Sequence, residues 1–283
     1  MEVEKNYWKK FYRSYTDFLY NEKDFFDNYV GSTIKNIKTF FNYLNRDLNL
    51  GVGMFHKQFY VRKEEIAIYP LLPEELNFLI YNKDFEQRLS KRMKEVKDFF
   101  VFGCTVALRI SDLLHLKKSA LRVVNGQYYL SVRSRKTNID TLVKLPDYAV
   151  EILQKRRKTQ NGLLPSFQTS NLNKYIKVLL KEAGFTHPVT LYRERRGVPV
   201  AIRKGIVLFC DVASTHSMRR TAITTMLCLG MPEQVVRKIS GHSPVTKEFY
   251  RYVLWAQTYQ DSESDRMFEK LKEKKLILQK SIF

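Results

Sequence analysis

The longest apolar stretch of the chain, FFVFGCTVAL from Phe99 to Leu108, runs straight into an arginine. Such a run must be buried, because each large apolar side chain left in water forgoes about 1.5–3 kcal/mol. It falls far short of the roughly 20 residues that a membrane span needs, so it predicts part of a buried helix in a globular domain. Arg109 then stands at the edge of that core. A charge there needs a partner, and Asp112, one turn on, is a possible one.

The 283 residues, 44% of them hydrophobic, suffice for one large domain or two ordinary ones. Lys and Arg total 49 against 29 Asp and Glu, a net charge of +20. That excess implies a polyanionic partner, since clustered Lys and Arg release counterions from phosphates, although ribosomal and membrane-surface proteins share it. Cys104, Cys210 and Cys228 are far apart and form no CxxC pair. Neither a zinc ribbon nor a disulfide framework is suggested, and a reducing cytoplasm fits. The opening MEVEKNYWKKFY is not a signal peptide. A soluble cytoplasmic protein with no membrane partner is expected.

The spacing predicts aromatic- and lysine-rich helices over residues 1–60, with Gly31 and Ser32 separating two runs and Ser32 capping the second. Residues 63–71 read as a linker between a helical domain, 1–62, and a second domain, 72–283. Helices are predicted from Leu72, from 87 to Gly103, and through ALRISDLLHL. A β-meander follows. Leu121–Val124 and Gln127–Arg133 flank Asn125-Gly126, the strongest short hairpin signal, and Thr141–Leu145 returns as a third strand after RKTNID. Helices resume at 146–158 and 170–184. Residues 187–213 read as an inserted hairpin turning at Lys204-Gly205. A helix from Thr215 closes at Gly230, another runs from Pro232 to Gly241, and residues 262–283 read as a tail helix. The fold class is mainly α with a small antiparallel β-meander.

Five segments can carry chemistry: Arg109 in LRISDLLHL, Lys136 in RKT, His216 and Arg219 in HSMRR, His242 in SGHS, and Tyr250 and Tyr252 in EFYRYV. Each has an ordinary structural reading. Lys136 in a turn is usually solvated, but a hairpin tip can also enter a DNA groove. His216 and Arg219 share a helix face; they are either a surface pair or phosphate ligands at a helix N-terminus. His242 can be a helix cap, and the tyrosines can be core aromatics.

Taken together and in this order, these segments resemble the tyrosine recombinase and integrase family. Its signature is an Arg in a G-x-R-x-[SDE]-[DE]-L helix, a Lys on a β-hairpin, H-x-x-R, a G-H some two dozen residues later, and a Tyr about nine beyond. The resemblance covers residues 70 to 265. It is particularly close to integrases of Bacteroidetes mobile elements, through FGCTVALRISDLL, VRSRKT, KLPDYAVEIL and HSMRRTAITTMLCLGMPEQVVRKISGH. It implies a helical core-binding domain followed by a mixed α/β catalytic domain. Many such integrases carry an arm-binding domain ahead of these; no segment here matches one, and a shortened chain or a simpler recombinase is expected. The residue nine places after His242 is Arg251, which cannot be a nucleophile. The pattern F-x-x-Y-apolar, met by Phe249, Tyr252 and Val253, favours Tyr252 over Tyr250.

The resemblance implies strand cleavage through a covalent 3′-phosphotyrosine, without metal, cofactor or ATP. Arg109 and Arg219 would clamp the phosphate with bidentate forks, His242 would add a donor, Lys136 would protonate the leaving 5′ oxygen, and His216 would accept or orient a proton. Asp112 would orient Arg109. The expected partners are double-stranded DNA, a homo-tetramer on two DNA sites joined by exchanged tail helices, and accessory DNA-bending proteins. KRRK from Lys155 and RERR from Arg193 are candidate backbone contacts. The rival readings are a type IB topoisomerase or hairpin-forming resolvase, a catalytically dead DNA-binding protein on the same fold, and a basic RNA-binding protein, for which no RNP-like strand motif exists.

Overall fold

A computed structural model describes residues 2–135, 138–155, 162–202, 205–244 and 246–280. In chain order the helices are α1 (Glu2–Asp17), α2 (Asp27–Arg46), α3 (Pro73–Tyr81), α4 (Lys83–Arg88), α5 (Lys91–Val106), α6 (Ile110–Leu114), α7 (Asp147–Gln154), α8 (Thr169–Glu182), α9 (Phe209–Val212), α10 (Thr215–Cys228), α11 (Glu233–Ser240) and α12 (Tyr250–Lys280). The strands are β1 (Leu121–Val124), β2 (Gln127–Arg133), β3 (Asp140–Lys144), β4 (Pro188–Val189), β5 (Tyr192–Arg195), β6 (Val198–Ala201) and β7 (Val207–Leu208). Helices predominate, and the antiparallel β1-β2-β3 meander is the largest sheet. No helix among the described residues is long and apolar enough to cross a membrane.

Two compact units form. One contains Met1–Ala67 and Val189–Val207, the other Ile68–Pro188 and Leu208–Phe283. The sequence reading placed residues 189–207 in the second domain; their contacts group them with the first. The hairpin also turns elsewhere. β5 pairs with β6 around Arg196-Gly197, whose φ angles of 56° and 79° are left-handed; Lys204, of the Lys204-Gly205 turn read from the sequence, lies outside the described residues. Tertiary contacts explain this choice. The buried Asp27 carboxylate accepts the amide N–H groups of Arg196 (2.8 Å) and Gly197 (2.7 Å) as well as the Tyr20 hydroxyl. Glu64, also buried, accepts from the Arg193 guanidinium and the Glu194 amide. Arg195 pairs with Asp24 and Arg196 with Asp17. The three arginines of RERR are thus engaged by carboxylates of their own unit. Of the other basic cluster, Arg156–Lys158 lies outside the described residues.

α2 runs unbroken through Gly31 and Ser32, so Ser32 caps nothing. Gly31 is there for a close approach: a Cβ would lie 1.9 Å from the Arg62 carbonyl oxygen. Leu19, Tyr20, Val30, Ile34 and Phe59 form the core of this unit.

In the second unit the predicted stop at Gly103 is wrong. α5 continues to Val106, because Gly103 faces α10, where a Cβ would meet the Met218 side chain at 2.4–3.1 Å. Glycine here serves interhelical packing and does not terminate the helix. The meander forms in the register set by the Asn125-Gly126 turn, with Leu130 opposite Leu121 and Val143 and fully buried. α12 begins at Tyr250 and absorbs the separately predicted tail helix.

Candidate active site

The apolar run that opens α5 to the core also aims the first arginine. α5 ends at Val106 and is capped by Ala107, held left-handed at φ 55°. The reversal frees the Ala107 carbonyl, which accepts from Arg219 Nη1 at 2.7 Å. It also places Arg109 at the N-cap of α6, where Nη1 donates to Ser134 Oγ at 3.0 Å. Asp112 is buried, but its hydrogen bond comes from the Arg135 amide at 3.2 Å. The expectation that Asp112 orients Arg109 directly is therefore corrected: both side chains grip Ser134-Arg135, the two residues that follow β2. Lys136 is the next residue and lies outside the described residues.

The second arginine comes from α10. Ser214 caps that helix, accepting the His216 amide, while Ser217 Oγ accepts the Ser214 amide. His216 lies exposed in the first turn, and Arg219 is half-buried one turn later. Arg219 Nη2 lies 3.3 Å from both ring nitrogens of His242. Burial, then the charge of Arg109, bring the Arg219 pKa down to about 10.

His242 follows Gly241, the left-handed C-cap of α11. Ser240 Oγ donates to the Val236 carbonyl at 2.7 Å, so it accepts from His242 Nδ1, also 2.7 Å away. This assigns the neutral tautomer, leaving the Nε2 lone pair toward Arg219. Burial, then Arg219 and Arg109, push the imidazole pKa down to about 3, so the ring is neutral at physiological pH.

The two tyrosines differ sharply. Tyr250 is 59% exposed, whereas Tyr252 is 6% exposed, in a core with Ala107, Ala222, Ile223 and Phe249. The Tyr252 ring lies 6.1 Å from that of His242 and 5.7 Å from that of Phe249. Arg109, Arg219, His242 and Tyr252 thus converge, with the Arg109 guanidinium and the Asp112 carboxylate the charges near Arg219. Ser134 and Ser240, which fix an arginine and a tautomer, had no signal in the sequence. Arg251 also adjoins Tyr252, with Arg220 in the neighbourhood of both. Among the described residues no cluster of His, Cys, Asp and Glu could hold a metal ion.

Residues 80–255 match the model of the phage integrase family. No curated protein matches the sequence. Among solved structures, the chain is similar to a lambda integrase tetramer bound to a Holliday junction, with 13% identity, TM-score 0.57, and coverage of 84% of this chain and 65% of that one. A Tn1549 transposon integrase in complex with transposon right end DNA gives 18%, 0.57, 82% and 77%. A XerH site-specific recombinase bound to a palindromic difH substrate gives 15%, 0.48, 69% and 52%, so this chain spans about half the length of that protein.

Proposed function

The chain belongs to the phage integrase family, and on that premise we propose that it is a site-specific DNA recombinase that cuts and rejoins strands through a phosphotyrosine. The observation that carries this reading is a cationic site beside a buried phenol. Arg109, Arg219 and a neutral His242 converge on Tyr252, with one carboxylate, Asp112, to offset two guanidinia. Such a site is costly unless an anion fills it, and a phosphodiester fits two planar forks.

In this reading Tyr252 Oη attacks the phosphorus, a P–O bond to tyrosine forms, and the bond to the 5′ oxygen breaks. Arg109 and Arg219 hold the non-bridging oxygens, where negative charge grows. Lys136 gives a proton to the leaving oxygen, and His216 takes or orients the phenol proton. His242 starts neutral; the bound anion offsets the arginine charges and raises its basicity, which lets Nε2 donate to the phosphate. The phosphotyrosine conserves the bond energy, so a second strand's 5′-hydroxyl reverses the step without ATP. Rejoining between two duplexes calls for several protomers, in keeping with the lambda integrase tetramer on a Holliday junction. The end of α12, with Met267, Phe268 and Leu271 exposed, supplies an apolar face for exchange between them.

The test is a nicked suicide duplex carrying the target site, on which a covalent protein–DNA adduct survives denaturant. Peptide mapping should place the adduct on Tyr252, and Tyr252→Phe should abolish it while Tyr250→Phe keeps it. An adduct on Tyr250 reverses the assignment of the nucleophile; intact DNA binding with no adduct on either overturns the recombinase reading.

A further inference from the structure

Two arginines beside Tyr252 have no part in the scheme above. Arg251 precedes Tyr252 on α12, and its guanidinium carbon lies 5.6 Å from the Tyr252 ring centroid. Its Nε is buried with no hydrogen-bond partner. Arg220 follows Arg219 on α10 and is half-buried; burial, with the nearby Arg251 guanidinium adding to it, holds its pKa down. Neither takes part in the ion pairs formed among the described residues. By contrast, Arg237, whose guanidinium lies 4.1 Å from the Phe249 ring, is paired with Glu233. Arg109 and Arg219 thus lie on the His242 side of Tyr252, while Arg251 lies against the Tyr252 ring with Arg220 near it.

One phosphate between Arg109 and Arg219 leaves Arg220 and Arg251 uncompensated. A half-buried guanidinium with a buried, unpartnered N–H destabilises the free protein, and an anion relieves it. We propose that Arg220 and Arg251 form a second phosphate subsite beside Tyr252, which takes the backbone phosphate next to the one that is cleaved. This rests on the recombinase reading above and deepens it. Arginine suits the task, because its fork matches two phosphate oxygens and stays charged when desolvated. Holding two successive phosphates fixes the direction in which the strand passes the phenol, which is a positional gain that a single clamp cannot give.

The experiment uses the full chain and suicide duplexes in which a methylphosphonate neutralises one phosphate at a time on either side of the scissile one. Single-turnover adduct formation is measured for the wild type, Arg251→Gln, Arg220→Gln and Arg251→Lys. Neutralising one flanking phosphate should slow the wild type by about 10- to 100-fold, the range for a charged hydrogen bond. The same substitution should slow Arg251→Gln and Arg220→Gln no further, while Arg251→Lys remains sensitive to it. If the wild type forms the adduct but every flanking methylphosphonate slows wild type and Arg251→Gln equally, the proposal is overturned and Arg251 acts only on the Tyr252 ring. If the wild type forms no adduct on the unmodified duplex, the recombinase reading itself fails. Thermal melting without DNA is a second readout. It should stay level or rise in Arg251→Gln, and a fall would make Arg251 a structural element and overturn the subsite.

Discussion

Arg219→Gln should separate stability from catalysis. In the free protein, burial and Arg109 bring the Arg219 pKa to about 10. The folded value lies below the unfolded one, so the charged form opposes folding at every pH below about 10. The displacement corresponds to about 3 kcal/mol. Against that stands the hydrogen bond to the Ala107 carbonyl at 2.7 Å, worth about 1.5–3 kcal/mol for a charged donor. The two nearly cancel, so the glutamine variant should be as stable as the wild type or more stable by up to about 1.5 kcal/mol. At roughly 2–4 °C per kcal/mol for a protein of this size, Tm should be unchanged or higher by a few degrees. Cleavage should nevertheless fall by about 10²- to 10³-fold, the usual cost of removing a donor that meets transition-state charge. Differential scanning calorimetry and single-turnover cleavage on the suicide duplex measure both quantities in one preparation. A Tm drop of more than about 5 °C would refute the reasoning, because Arg219 would then be an anchor of the Ala107 turn and not a charge held for a ligand.

His242 titrates near 3 in the folded chain against about 6.5 unfolded, so the unfolded state binds the extra proton between those values. Its contribution to stability is complete above about pH 6.5 and is lost as pH falls toward 3; Tm measured across that window should fall less steeply in His242→Gln than in the wild type. Glu64→Ala leaves Arg193 unpaired and strands the amides of Glu194 and Asn28, which should cost about 3–5 kcal/mol, read by chemical denaturation, with limited proteolysis appearing first within residues 192–201.

Local pattern was enough for much of this protein. The Asn125-Gly126 turn between alternating strands specified the meander, since both positions need positive φ and the pleat then sets which face is buried. Pro232 and Gly241 bounded α11, and the order of Arg109, His216, Arg219, His242 and the tyrosines was readable as a constellation. The sequence could not say what each glycine was for. Gly103 and Gly31 read as a stop and a break, yet both lie inside helices at points of close contact with Met218 and Arg62, and contact is invisible to periodicity. Nor could it place residues 189–207, because the hairpin is captured by Asp27 and Glu64, more than 120 positions away along the chain.

The polar partners were decided by tertiary structure alone. The sequence spacing pointed Asp112 at Arg109, whereas the fold brought Ser134 to that arginine and gave Asp112 the Arg135 amide. The surroundings of the two tyrosines followed the same division. The sequence favoured Tyr252 over Tyr250 through the F-x-x-Y-apolar pattern, and the two, being two residues apart, fall on different sides of a helix. The packing of α12 against α10 turned Tyr252 inward to His242 and left Tyr250 in water. A sequence specifies which side chains are available at which helical phase; which of them meet, and how much water remains between them, is settled only when the helices pack, because burial and charge proximity are properties of the assembled site.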